Sequence, residues 1–558
     1  MLTSDFPARP GQDARRLAQA LRVTTTVAEW LRRSGHGDSD VTRRYLEPRL
    51  SHLSDPAPMV DRAAAAERIA HALSKREKIA VFGDYDCDGI TSAAIMTEGL
   101  RALGGDVVPL LASRFDGGYG VSEAACRRIL ATGATLLVTC DCGSSDHVSL
   151  SSLRAKGLEV VVIDHHLVPA EPLPAVAFLN PHRPDCGFAY KGLASCGLAL
   201  SLVAAVRAVR GVKLDVRQWL DLVAIGTIAD VAPLDGDNRA LVRAGLASVA
   251  AKARPGLRAL AELAKLDPTA PLGARDIAFR IAPRLNAPGR LGSPDLSLDL
   301  LLARTDEDAR SIAAAVEALS IQRRALQDAM LEEAIAEIDE HGFAARSAIV
   351  VGREGWNPGI VGIVAGRLVE RYGRPVIVVG FERGEGRGSV RGPKGVRLFD
   401  ALSEAASVLV RFGGHQAAAG LEVKLEKLGA LREAFEHAIS SQGAETAADP
   451  LGCAIHLAEG DELFRVVQDI ERLEPCGQGN PAPRLIVEGD VFESRELKGG
   501  HLRLELSLAG RTRVSCFGIG MGARAAEFSG RAVVLGDLRR DTYRGGDAVE
   551  ILLDRVLA

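Results

Sequence analysis

KIAVFGDYDCDG, residues 78–89, carries the strongest fold signal in the chain. KIAVF has the composition of a short buried strand, and the chain then turns polar, placing Asp84, Asp86 and Asp88 at alternate positions before Gly89. The same arrangement returns twice: TLLVT (135–139) runs into CDCG, and LEVVVI (158–163) runs into DHH. Helical stretches such as TSAAIMTEGLRAL and SEAACRRILATG lie between these runs. Strands alternating with helices predict an α/β fold with a doubly wound parallel sheet. In such sheets ligands bind beyond the carboxyl ends of the strands, which is where all three polar clusters fall.

On the N-terminal side, the first 75 residues read as helical and polar, with a good helix in AAAAERIAHAL (63–73). Downstream lies a helical region whose longest element is predicted from Asp306 to His341, with Thr305 as N-cap, Asp308 closing a capping box and Gly342 as the stop. A helix of about 36 residues spans roughly 54 Å, too long for one small domain, so it is expected to connect two. SAIVV (347–351) and PVIVV (375–379) announce a second, smaller α/β unit. From about residue 450 the period becomes two: Leu502, Leu504 and Leu506 alternate with Arg503, Glu505 and Ser507. RTRVSCFGI, RAVVLGDL and AVEILL follow, with a short helix near 521–528, a pattern compatible with an OB-type β-barrel. The expected units are a helical extension (1–74), a catalytic domain (75–250), a helical region with the long connecting helix (251–344), a substrate-binding α/β domain (345–445) and the barrel (450–558).

The chain has 558 residues, 47% of them hydrophobic, which excludes bulk disorder. Its 68 Lys+Arg against 72 Asp+Glu leave a formal charge of -4, which argues against coating nucleic acid by positive charge alone but not against a local basic groove. Nine cysteines without a CxxC pair suit a reducing compartment, and a cytoplasmic protein is expected. The N-terminus has no apolar signal core, and the longest nearly apolar run, Leu193 to Val206, stops short of the about 20 residues a membrane helix needs.

Three alternating aspartates repel one another unless a cation neutralises them. A second cluster supplies Asp141, a third Asp164, His165 and His166, and Asp230 ends DLVAIGTIAD before Pro233. Oxygen-rich ligation with histidine suits manganese or magnesium rather than thiolate-held zinc. Five or six ligand groups suit two ions about 3.5–4 Å apart, the arrangement that activates water in phosphoester hydrolysis. Singly, each Asp reads as a cap or turn former, and DxDG also resembles the start of a haloacid-dehalogenase-type phosphatase, with the first Asp as nucleophile. Convergence of four segments argues against both.

Taken in order, GDYDCDG (83–89), CDCG (140–143), IDHH (163–166) and GTIADVAPLDGDNR (226–239) resemble the DHH phosphoesterase superfamily. With LNPHRPDC (179–186), RIAPRLNAPGRLG (280–292), GWNPGIVGIVAGRL (355–368), RFGGHQAAAGL (411–421) and EPCGQGNPAP (474–483), the chain is more narrowly similar to RecJ-type single-strand-specific exonucleases, from about residue 45 to the end. The resemblance implies two domains around a cleft, a long helix and a C-terminal OB-fold. It implies 5′→3′ removal of mononucleotides from single-stranded DNA with manganese or magnesium, in DNA repair and recombination. Asp86, Asp88, Asp141, His165 and Asp230 match the metal-ligand positions, with Asp141 as bridge. His166 would face the scissile phosphate, and Asp84 is either a further ligand or a support behind the ligands. Ser389 and Arg391 match positions that hold a 5′ phosphate, Arg114 and Tyr119 others lining the way in, and Asn286 and Arg290 the cleft.

The basic content agrees with a strand-binding groove. Between Arg371 and Phe399 seven basic residues face only Glu382 and Glu385, and RIAPRLNAPGR adds Arg280, Arg284 and Arg290. His415 contacts a phosphate near the metals or caps a following small-residue helix. Aromatics are 4% of the chain, so base stacking is limited to a few candidates: Tyr119, Trp356, Phe517 and Tyr543. The expected partner is single-stranded DNA with a free 5′ end, alongside a single-strand-binding protein or helicase, for a monomer without membrane contact. Two competing readings are a DHH phosphoesterase acting on short oligonucleotides or cyclic dinucleotides, and a metal-free DNA-binding relative. The roughly 110 residues after 450 disfavour the first, and intact acids at every ligand position disfavour the second. Departures from the family pattern are Cys142 after the bridging Asp, Cys87 inside the first motif, LASCGLA (193–199) and GSVRG (388–392).

Overall fold

The computed structural model describes residues 6–251, 254–267, 271–416, 418–442, 454–509, 512–541 and 543–557. Its first sheet contains β1 (Lys78–Gly83), β2 (Asp106–Leu111), β3 (Leu136–Cys140), β4 (Glu159–Ile163) and β5 (Ala177–Leu179), all parallel in the order β2-β1-β3-β4-β5. Strand alternation feeds two cores. Ile79 and Val81 face helices Cys87–Ala102, Ser195–Arg210 and Leu220–Ala229, while Ala80 and Phe82 face the opposite layer with Leu137 and Val162. Cys87 lies in the first core and Cys142 in the second, both buried, so neither departure presents its side chain to solvent.

The second sheet contains β6 (Ile349–Glu354), β7 (Val376–Glu382), β8 (Glu385–Arg391), β9 (Arg411–His415) and β10 (Ala418–Lys424), in the order β6-β7-β8-β10-β9. RFGGHQAAAGL is therefore a β-hairpin, and the helix expected after His415 does not form. The reason is visible in β10: Ala419, Leu421 and Val423 are buried at every second position while its partner β8 supplies the ladder, so period two overrides the helical preference of the alanines.

The two units are joined by a helix running Asp306–Glu340, 35 residues, or about 52 Å at 1.5 Å per residue. Thr305 caps it, its hydroxyl accepting from the Asp308 N–H (3.1 Å) and donating to the Asp308 carboxylate (2.7 Å). Ala309, Ala313 and Val316 belong to the first unit's core, and Met330, Ala334 and Ile338 to that of the second. The helix is rooted at both ends. Among the described residues no helix is long and apolar enough to cross a membrane.

The last sheet contains β11 (Ala454–His456), β12 (Arg484–Leu497), β13 (His501–Ser507), β14 (Arg513–Gly518), β15 (Arg531–Arg540) and β16 (Val549–Val556). Order β12-β13-β14-β16-β15 closes on itself through β12–β15, giving a five-stranded barrel with β11 added along β12. The N-terminal helices Gln12–Leu21 and Thr25–Arg33 pack on this barrel: Val27, Trp30 and Leu31 share a core with Ile455, Val466, Leu485 and Val487. Chain start and chain end thus form one body. Arg239 staples it to the first α/β unit, donating to the carbonyls of Tyr45 (2.8 Å), Leu473 (2.9 Å) and Pro475 (3.3 Å) beneath the Tyr45 ring. Arg239→Met takes a donor from each of these carbonyls. The Asn480 amide still serves those of Leu473 (3.1 Å) and Pro475 (2.6 Å), so the Tyr45 carbonyl bears the loss and the urea-unfolding free energy should fall by about 1–2 kcal/mol. An unchanged midpoint would refute the staple.

Candidate metal centre

The centre is assembled from strand ends and helix starts. After β1, Asp86 caps helix Cys87–Ala102, its Oδ1 accepting from the N–H groups of Asp88 (3.0 Å) and Gly89 (3.1 Å). The cap leaves Asp86 within the acidic cluster, its ligand atom near those of Asp84 and Asp141. Gly89 packs on the Asp84 backbone, where a Cβ would come within 2.5 Å of the Asp84 carbonyl oxygen. Asp88 turns inward to the start of helix Ser195–Arg210 and accepts from the N–H groups of Ser195 (2.8 Å) and Cys196 (3.0 Å). Asp141, just beyond β3, has φ +63°, a left-handed conformation uncommon outside glycine, and its Oδ1 accepts from the Ser195 hydroxyl (3.1 Å).

His165 Nε2 lies 3.2 Å from Asp141 Oδ1, 3.7 Å from Asp230 Oδ2 and 3.9 Å from Asp88 Oδ2. Ligand atoms of Asp84, Asp86 and Asp141 lie within 4.8 Å of one another, as do those of Asp88, His165 and Asp230, and those of Asp141, His165 and His166. Asp141 stands between the sets. Two buried polar atoms here, Asp84 Oδ1 and His165 Nε2, have no hydrogen-bond partner. Burial first, and repulsion from Asp86 next, hold the Asp84 carboxyl well above the usual carboxylate range. Burial and then Asp88, Asp86, Asp230 and Asp84 do the same to Asp141, and burial with Asp88 and Asp86 pushes Asp230 up to about 9. Burial raises Asp88 and lowers His165. Clustered carboxyls that cling to protons, beside orphaned acceptors, fit a hard divalent cation that would take the protons' place.

His166 is held differently. Its Nδ1 lies 2.7 Å from Asp164 Oδ1 and 3.1 Å from the Tyr119 hydroxyl. Burial alone would lower His166, but the Asp164 hydrogen bond and charge overcome it and raise the imidazole to about 9. Burial would likewise raise Asp164, yet His166 and Ser144 bring it down to about 2. Asp164 also accepts the N–H groups of His165 (2.8 Å) and His166 (3.1 Å). Reading the sequence placed Asp164 in the cluster without a role, and assigned none to Ser195, Cys196 or Asn180, whose amide donates to the His166 carbonyl (2.8 Å). The available signal for Ser195 was its departure from the family pattern in LASCGLA.

Basic residues stand beside the acids, Arg114 near Asp84 and Arg290 near Asp86. The Arg114 guanidinium sits 3.8 Å over the Tyr85 ring. Arg290, on the short helix Ala287–Leu291, donates to the Gly359 carbonyl (2.9 Å), while a Cβ on Gly289 would come 3.0 Å from the Tyr85 oxygen. This helix is thus wedged between the first motif and the second unit. On β8, the Ser389 hydroxyl and Arg391 guanidinium lie against Gly362 at the start of helix Val361–Tyr372, 3.1 and 3.2 Å from where its Cβ would stand. Asn286 is half-buried where Ala282–Leu285 meets Ala287–Leu291. Arg284 turns instead to the long helix, where Glu317 takes its Nε at 2.6 Å. Trp356 is a core residue whose indole donates to Glu333 (2.7 Å). Tyr543 is 97% exposed. The side chain of His415 lies outside the described residues.

Comparison with known proteins follows the same order along the chain. Residues 78–227 match the DHH family N-terminal domain, 345–441 the DHHA1 domain and 456–555 the RecJ OB domain. The single-stranded-DNA-specific exonuclease RecJ of Bacillus subtilis is 35% identical over 522 residues, covering 92% of this chain and 65% of that protein. This chain therefore spans just under two thirds of that relative's length. The Escherichia coli protein of the same name is 32% identical over 525 residues, 88% of this chain and 89% of that one. The crystal structure of Thermus thermophilus RecJ in complex with Mn2+ superposes with a TM-score of 0.82 at 31% identity, covering 99% of this chain and 79% of that one; its Mg2+ counterpart gives 0.76 at 30%.

The electrostatics set the pH dependence. A carboxyl whose folded-state pKa lies above its unfolded value favours folding while it carries its proton, and that advantage is lost as pH rises through the folded value. The metal-free protein should therefore lose stability towards about pH 9, the Asp230 value, and Mn2+ should raise the thermal midpoint more there than at about pH 6.5. Ser195→Ala, which removes the hydroxyl steadying Asp141, should weaken Mn2+ binding by about 10–100-fold in calorimetric titration. A pH-independent midpoint gain would contradict the protonated, metal-free centre.

Proposed function

The chain belongs to the family of RecJ single-stranded-DNA-specific exonucleases within the DHH phosphoesterases, and from this we propose that it hydrolyses single-stranded DNA from a free 5′ end to mononucleotides. The observation that carries the reading is the position of Asp141 between two ligand sets, beside the orphaned His165 Nε2 and Asp84 Oδ1. Asp84, Asp86 and Asp141 would hold one manganese or magnesium ion, and Asp88, His165 and Asp230 another, with Asp141 shared. Two such ions supply an acidified attacking water and charge on the leaving oxygen.

The chain's own residues do the rest. Ser195, with the N–H groups at the start of its helix, fixes Asp141 and Asp88 before any cation arrives. Asp164 keeps His166 protonated through Nδ1, leaving Nε2 to meet the scissile phosphate as a cationic donor. Ser389, Arg391 and Arg114 would receive the terminal 5′ phosphate, which gives the reaction its direction, while Tyr119, Asn286 and Arg290 line the strand's path. Arg284, engaged by Glu317, supports that path rather than gripping the strand, and His415 on β9 is kept as a phosphate contact. The barrel suits a longer single strand better than a dinucleotide. We place the protein in the cytoplasm as a monomer serving DNA repair and recombination, working with a single-strand-binding protein or helicase.

Digestion of single-stranded DNA labelled at either end, with Mn2+, tests this. The 5′ label should appear first and as mononucleotide. Asp141→Ala should lower kcat by about 10^3-fold or more, and His166→Ala by about 10^2-fold or more. Full activity of Asp141→Ala would sink the shared-ligand assignment, and preference for dinucleotides or cyclic dinucleotides would sink the long-strand reading.

A further inference from the structure

We propose that Arg323, midway along the connecting helix, binds a backbone phosphate of the strand, so that this helix grips the substrate as well as joining the two units. The inference rests on the exonuclease reading but draws on a separate observation. Arg323 is only 8% exposed; its Nη1 donates to Gln327 Oε1 (2.8 Å), and its buried Nε has no hydrogen-bond partner. Among the described residues no carboxylate lies within ion-pair distance of it. Its neighbours are provided for: Glu317 takes Arg284 (2.6 Å) and Arg324 (3.3 Å). A buried guanidinium with an idle donor and no counter-ion is costly, and removing it from water gains nothing unless an anion arrives.

The surroundings point to which anion. Short helix Ala287–Leu291 packs on the long helix and carries Arg290, whose guanidinium is lowered to about 9 by burial and then by repulsion from Arg114 and Arg323. Arg391 is lowered in turn by burial and by Arg114. Among the described residues none of Arg391, Arg114, Arg290 and Arg323 has a carboxylate in ion-pair reach. They form a chain of mutually repelling cations passing from β8, across the Arg114 loop and the wedged helix, to the long helix. A single phosphate answers one or two guanidinium groups; four neighbouring guanidinium groups fit a polyanion. Arg323 would hold a phosphate other than the terminal one assigned to Ser389, Arg391 and Arg114.

The test is the salt dependence of binding of a 5′-phosphorylated oligothymidylate to the full chain in EDTA, read by fluorescence anisotropy. Removing one cation that pairs with a phosphate should reduce the slope of log Kd against log salt by about 0.7. Arg323→Gln should show that reduction and weaken binding about three- to tenfold at about 0.1 M salt, with Arg323→Lys restoring the slope. Gln327→Glu, which supplies the missing counter-ion while keeping the arginine and its packing, should reduce the slope similarly. A wild-type slope in Arg323→Gln, or in Gln327→Glu should the first variant not fold, would overturn the inference; a purely structural arginine would alter the thermal midpoint alone. Wild-type protein that binds no single strand and digests none would overturn the exonuclease reading first and this inference with it.

Discussion

Five carboxylates, those of Asp84, Asp86, Asp88, Asp141 and Asp230, are forced together at the edge of one sheet, and their mutual repulsion governs how everything around them is built. Left to themselves they would disperse into water. They stay because the backbone holds them: Asp86 is tied into a helix cap, Asp88 is pinned by the N–H groups of Ser195 and Cys196, and Asp141 is set in a left-handed turn. The helix starts opposite the acids add positive electrostatic potential. Asp164 does the reverse for His166, keeping one cation beside the acids.

Near the acids the problem is mirrored. Arg114, Arg290, Arg391 and Arg323 crowd one another, and among the described residues none has a carboxylate within ion-pair distance. A formal charge of -4 for the whole chain conceals both the cluster of acids and the group of arginines near it. Arg114 stands in the same unit as the acids while Arg391 belongs to the second, so the spacing between the two units must be rigid. The long helix provides that by burying Ala309, Ala313 and Val316 in one core and Met330, Ala334 and Ile338 in the other. A helix anchored only at one end would let Arg391 on the second unit drift from the acids.

The barrel is fastened by another device. Arg239 spends its donors on carbonyls from Tyr45 and the 473–475 turn, so catalytic unit, N-terminal helices and barrel meet at one buried guanidinium. Here the carbonyls satisfy the cation, in contrast to Arg323.

Whatever covalent spacing controls could be read from the chain alone. Alternation of apolar runs with acidic ends specified the parallel sheet and the edge where Asp84, Asp141 and His165 gather, and Thr305 with Asp308 marked the start of the long helix. Local preference misled where pairing partners were distant: AAAGL looks helical until β8 claims it as a strand; the packing of the N-terminal helices on a barrel more than 400 residues on has no local signal at all. Three-dimensional packing was needed to show that Ser195 steadies Asp141, that Glu317 claims Arg284, and that Arg323 keeps a buried Nε without a hydrogen-bond partner. The cause is the same in each case. Burial and charge pairing are properties of residues brought together by packing, and a sequence records neighbours along the chain, not neighbours in space.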